Sequence, residues 1–140
     1  MKKALFVLLA FATPLLYGDE EVAVEKSSTH FVPGRLDTPG LKALLDSGSS
    51  LVLLDARGDK WNENAIIPGA QLAWHEDKNF DALIPTKDTL VVVYCFSYTC
   101  PYAGKLVKKL HKLGYTNLVE YPPGLKEWRD IAGYPVDKIQ

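Results

Sequence analysis

Short apolar runs alternate along this chain with stretches whose apolar residues recur every three or four positions. Residues 51–54 and 90–94 are apolar throughout, which predicts strands buried on both faces. Residues 71–74 and 118–121 predict two more short strands. Leu41, Leu44 and Leu45 lie at helical spacing after Thr38-Pro39, so a helix is expected there, capped by Thr38, opened by Pro39 and stopped at Gly48. Ala103, Leu106, Val107, Leu110 and Leu113 form the buried face of a second helix, running from Pro101 to Gly114. A polar helical turn is expected around Trp61 and a last helix over 125–131, with Gly133-Tyr134-Pro135 ending the fold. Trp61, Trp74 and Trp128 are read as core packing. Apolar strands alternating with helices imply an α/β domain, a parallel sheet covered on both faces, whose ligands sit beyond the carboxyl ends of the strands.

The N-terminus follows a different rule. Lys2 and Lys3 precede an unbroken apolar run from Ala4 to Ala12, which resumes after Thr13-Pro14 and closes at Gly18 before Asp19, Glu20 and Glu21. That order of charged head, apolar middle and small residue predicts a signal peptide over 1–18 and hence a periplasmic or otherwise exported protein. The apolar stretch is shorter than the roughly 20 residues a membrane-spanning helix needs, so no stable membrane anchor is expected after cleavage. Residues 19–35 read as a flexible lead-in and 36–140 as the domain. Without 1–18 the chain has 14 basic against 17 acidic side chains, a net of −3, which gives no electrostatic case for nucleic acid.

Export gives weight to the two cysteines, Cys95 and Cys100, because thiols tend to oxidise outside the cytosol. Two are too few for a disulfide framework, so they form one local bridge or carry chemistry. Cys95 stands at the carboxyl end of the most apolar strand. The loop Phe96-Ser97-Tyr98-Thr99-Cys100 then leads into the helix at Pro101. Backbone N–H groups of such a loop, together with the positive end of the helix dipole, favour an anion at the centre. A Cys95 thiolate is such an anion, and Ser97, Tyr98 and Thr99 could add hydroxyl donors. The alternative is a small buried cysteine with no reactivity.

The sequence resembles the rhodanese-like sulfurtransferases over about residues 36–136. The resemblance rests on Leu53-Leu54-Asp55-Ala56-Arg57, Ile67-Pro68-Gly69-Ala70, Val92-Val93-Tyr94-Cys95, and Gly124-Leu125 with Trp128 and Ala132-Gly133-Tyr134-Pro135-Val136, in the family's order. It implies a five-stranded parallel sheet flanked by helices on both faces, with Cys95 as the catalytic residue that becomes persulfidated. A sulfane donor (thiosulfate, polysulfide or persulfide) would load Cys95, and a thiol or other nucleophile, free or on a protein, would unload it. No cofactor or metal is implied. Related dual-specificity phosphatases and arsenate reductases use a longer loop closing on arginine. Where the family often places a basic residue this loop has Cys100, and 96–99 carry no charge, which counts against thiosulfate as the preferred donor.

Cys100 opens a second reading as a resolving thiol, which would make this a thiol–disulfide redox protein. A non-catalytic binding module of the same fold is a third. Asp55 and Arg57 are expected to order the strand end as structural support. Lys105, Lys108, Lys109 and Lys112 read as a solvated helix face that could also attract an acidic partner.

Overall fold

Five parallel strands in the order β1-β5-β4-β2-β3 form the sheet of the computed structural model, which describes residues 30–139. The expected signal peptide and most of the lead-in lie outside the described residues. Strand β4 (Val91–Tyr94) is fully buried and lies between β2 (Val52–Asp55) and β5 (Leu118–Tyr121). Its β-branched run suits an extended chain packed on both faces. The period-two alternation sends Val91, Val93 and Cys95 to one core and Val92 and Tyr94 to the other. The first core is covered by Leu106, Val107 and Leu110 of α3 (Tyr102–Lys112), and the second by Leu41 of α1 (Thr38–Asp46) and by Trp128. The fold expected from the sequence, an α/β domain with helices on both faces of a five-stranded parallel sheet, is the one observed.

Several local expectations are corrected. Gly34–Arg35, placed in the lead-in, form the exposed edge strand β1 against Val119 and Glu120 of β5. Two exposed residues carry no apolar pattern, and their strand character comes from the neighbour. Helix α1 is capped by Asp37 rather than Thr38: the Asp37 carboxylate accepts from Gly40 N at 2.8 Å. Thr38 is buried instead, its Oγ1 donating to Glu127 at 2.8 Å and lying 2.7 Å from the Tyr121 hydroxyl. Since Thr38 gives its one proton to Glu127, the Tyr121 hydroxyl must donate to Thr38.

The strand expected over 71–74 is shorter. β3 is Gln71–Leu72, because Trp74 turns out of the ladder, its N–H bonded to Asp77 at 3.0 Å. Trp61, at the end of the helical turn α2 (Gly58–Trp61), is 49% exposed and is not a core residue, whereas Trp128 is buried. The last helix is wound as a π-helix over Lys126–Ile131, with Ala132 N bonded to Glu127 O. Nor does the fold end at Gly133-Tyr134-Pro135: Asp137 pairs with Ile66 through both backbone bonds, at 2.9 Å each.

Candidate active site

Cys95 lies one residue beyond β4, 2% exposed, in line with the residues that face α3. Its loop is held from outside. The N–H of Leu125 donates to the Cys95 carbonyl at 3.0 Å, and the N–H of Lys126 donates to the Phe96 carbonyl at 2.8 Å. Gly124 makes this approach possible: its φ is +68°, and a Cβ there would sit 2.5 Å from the Cys95 oxygen. With those carbonyls occupied, the N–H groups of Phe96, Ser97, Tyr98 and Thr99 have no acceptor among the described residues. The N-terminus of α3 follows directly, with no side-chain cap. Free N–H groups beside a helix start favour a negatively charged sulfur.

Cys95 and Cys100 are joined in a disulfide, with Cα atoms 6.1 Å apart, well within bridging reach. Phe96 is half-buried against both cores. The Ser97 and Thr99 hydroxyls lie 3.1 Å apart and bond each other, while Tyr98 is 70% exposed.

Asp55 and Arg57, at the end of β2 beside Tyr94, form a buried ion pair. Asp55 Oδ1 accepts from Arg57 N at 3.0 Å and from Nε at 2.9 Å, and Oδ2 accepts from Nη2 at 2.6 Å. Nη2 also donates to the Ala65 carbonyl at 2.6 Å, but Nη1 is buried without a partner among the described residues. Burial works against the guanidinium charge. The hydrogen bonds and charge of Asp55 outweigh it, so the Arg57 pKa is raised. Burial likewise pushes the Tyr94 phenol above its ordinary value, and the charge of Asp55 adds to this. The Tyr94 hydroxyl accepts from Ile67 N at 3.0 Å, tying the Ile67-Pro68-Gly69-Ala70 turn to the central strand.

Beside the bridge is a cavity of about 350 Å³ lined by Arg57, Trp61, Glu63, Phe96, Cys100 and Tyr102. Sequence reasoning singled out Arg57, Phe96 and Cys100. It missed Glu63 and Tyr102 as site residues and misread Trp61 as core: the helical turn was expected, but nothing in the sequence shows which way the exposed Trp61 faces. The Gly124–Lys126 clamp was also missed as a functional element, although the glycine preceding a helix was its one visible sign.

Such an arrangement defines a parallel α/β domain that presents a cysteine on the loop after its central strand. The chain belongs to the rhodanese-like domain family, whose model matches residues 38–131. It is similar to the rhodanese-like domain of an Anabaena protein, at 25% identity and a TM-score of 0.65, covering 78% of this chain and 81% of that one. A thiosulfate sulfurtransferase from Pseudomonas aeruginosa is also 25% identical, with a TM-score of 0.64, over 75% of this chain. This chain spans only 20% of that enzyme. A Bacillus halodurans protein shares the fold at 22% identity and a TM-score of 0.67, covering 75% of this chain and 77% of that one. No curated protein matches the chain.

Proposed function

We propose that this protein is an exported sulfurtransferase that carries sulfane sulfur as a persulfide on Cys95. The observation that carries the reading is the clamp on the loop. Leu125 and Lys126 occupy the Cys95 and Phe96 carbonyls, and the four N–H groups of the loop from Phe96 to Thr99 have no acceptor among the described residues. In the reduced protein the Cys95 thiolate attacks the outer sulfur of a donor, forming Cys95–S–S⁻ as the donor leaves with the electron pair of its broken bond. A thiolate acceptor, free or on a protein, then takes the outer sulfur and returns the Cys95 thiolate. Similarity to a thiosulfate sulfurtransferase supports this chemistry. The uncharged loop 96–99 favours polysulfide or persulfide over thiosulfate as donor. Cys95 and the 96–100 loop are the proposed site, with Asp55 and Arg57 as its structural support.

The bridge favours a second reading, a thiol–disulfide protein with Cys100 as resolving thiol. One experiment separates the two. Reduced protein is incubated with polysulfide, or with thiosulfate, then with cyanide, and its intact mass is followed. A gain of one sulfur, about 32 Da, that cyanide removes, Cys95→Ser abolishes and Cys100→Ser retains supports sulfur transfer. No gain under any donor, with cycling between dithiol and bridge that Cys100→Ser eliminates, supports the redox reading.

A further inference from the structure

We propose that the cavity lined by Arg57, Trp61, Glu63, Phe96, Cys100 and Tyr102 binds an organic monothiol with an apolar body and one negative charge, which opens the Cys95–Cys100 bridge by attacking Sγ of Cys100. The inference rests on the bridge being a functional state of the site. It adds the class of reductant, its route and the sulfur it meets.

Two features define the ligand. Arg57 lines the cavity, and three of its four N–H-bearing atoms, the backbone N, Nε and Nη2, are committed to Asp55 or Ala65. Of these four, Nη1 alone is buried with no acceptor among the described residues. A guanidinium nitrogen left unpaired away from water is costly, and an anionic oxygen beside it would relieve that cost. The walls are the rings of Trp61, Phe96 and Tyr102, which suit an apolar or aromatic body, and the volume suits a small molecule rather than a peptide segment. Glu63 limits the charge: its carboxylate is only partly countered by Arg129 Nη1 at 3.4 Å, so a dianion is repelled where a monoanion is held.

Burial and leaving-group chemistry decide which sulfur is attacked. Cys95 is 2% exposed, whereas Cys100 is half-buried and borders the cavity. Cys95 opens the loop whose Phe96 to Thr99 N–H groups have no acceptor among the described residues, a setting that favours negative charge and makes its sulfur the better leaving thiolate. The thiol loses its proton to solvent before the step. Its thiolate then forms a new S–S bond to Cys100 Sγ as the Cys95–Cys100 bond breaks, and the electron pair of that bond departs on Cys95. The product is a mixed disulfide on Cys100 and a free Cys95 thiolate, the form needed to receive sulfur.

The test uses the oxidised full chain, its bridge established beforehand by intact mass. The chain is exposed briefly to 3-mercaptobenzoate or to its uncharged amide, quenched with iodoacetamide and mapped by peptide mass. The adduct is expected on Cys100 with the alkyl label on Cys95. The carboxylate should react about tenfold faster than the amide per thiolate, the size of one hydrogen bond to a charged group. Trp61→Ala, at a half-exposed position where folding is not at risk, should slow the carboxylate about fivefold by removing an aromatic wall. Arg57 is left intact because it holds the buried Asp55. An adduct on Cys95, equal rates for the two thiols, or a Trp61→Ala rate equal to wild type overturns the proposal while leaving the redox reading standing. A chain that stays a dithiol after diamide treatment removes both.

Discussion

Gly124 lies against the carbonyl of Cys95 so closely that a Cβ on it would stand 2.5 Å from that oxygen, and 2.6 Å from the carbonyl carbon of Phe96. The contact is between backbones, so neither side can yield by a rotamer change. It couples the turn after β5 to the loop after β4 and fixes the direction of the loop's peptide groups.

Gly124→Ala is therefore expected to damage the site through geometry alone. A left-handed φ for alanine and the clash with Cys95 and Phe96 together should cost more than about 2 kcal/mol. Urea unfolding measures the cost, and sulfur loading of the folded fraction measures the site. A variant with wild-type stability and loading would show that the clamp does not shape the loop.

The Asp55–Arg57 pair yields a second expectation. Removing one partner leaves a buried charge with nothing to balance it, so Asp55→Ala or Arg57→Met alone should each cost about 3–5 kcal/mol. The double variant leaves neither charge and should cost clearly less than the sum of the two. A double-mutant cycle from urea midpoints reads this directly, and strict additivity would refute the coupling. Because the raised Arg57 pKa sits above an already high ordinary value, its stabilisation is fully present throughout the neutral range and gives no pH dependence there.

The parts of the fold that were legible in the sequence are those where one residue's neighbours leave little choice. Val91-Val92-Val93-Tyr94 is apolar on both alternating faces and reads as a central strand. The α3 residues Ala103, Leu106, Val107 and Leu110 repeat at helical spacing and are all buried, while Lys105 and Lys108 on the same helix are exposed; Leu113, expected on the buried face, is exposed at the helix end. What was hidden depends on partners distant in the chain. Gly34–Arg35 becomes a strand only through β5, and Thr38 is withdrawn from capping by Tyr121, 83 residues away. The site divides in the same way. Cys95 and its loop were visible because strand, cysteine and helix are contiguous. The cavity was not, because Trp61 and Tyr102 line it from elements that follow two different strands, 41 positions apart in the chain.

Alkaline pH should expose the tyrosines. Burial pushes the Tyr121 phenol up to about 12 and raises Tyr94 further. Both groups hold their protons more tightly folded than unfolded, so their stabilisation is complete below about pH 10 and is lost as pH rises through the folded values. Urea midpoints should stay level with respect to these groups up to pH 10 and fall above it. Tyr121→Phe should lower stability by about 1 kcal/mol at neutral pH, the worth of its bond to Thr38. It should also flatten the part of the decline between 10 and 12. A wild-type slope unchanged in Tyr121→Phe would mean that Tyr121 titrates normally.

Reducing the Cys95–Cys100 bridge should loosen the loop without unfolding the domain. Cys95 and Cys100 are five positions apart, so the closed loop is short and the entropy it removes from the unfolded chain is worth only about 2 kcal/mol. Other contacts hold the loop once the bridge opens: Leu125 and Lys126 grip the Cys95 and Phe96 carbonyls, and Cys100 N donates to the Ser97 carbonyl at 3.0 Å. The cradle also favours the thiolate released on Cys95, which offsets part of the loss. Oxidised and reduced protein should give the same far-ultraviolet circular dichroism and differ by no more than about 2 kcal/mol in urea unfolding. Hydrogen exchange should quicken at residues 96–100 and stay unchanged in β4 and α3. A domain that unfolds on reduction would mean that the bridge holds the sheet together, and a sulfur carrier that must work in the reduced state would then be excluded.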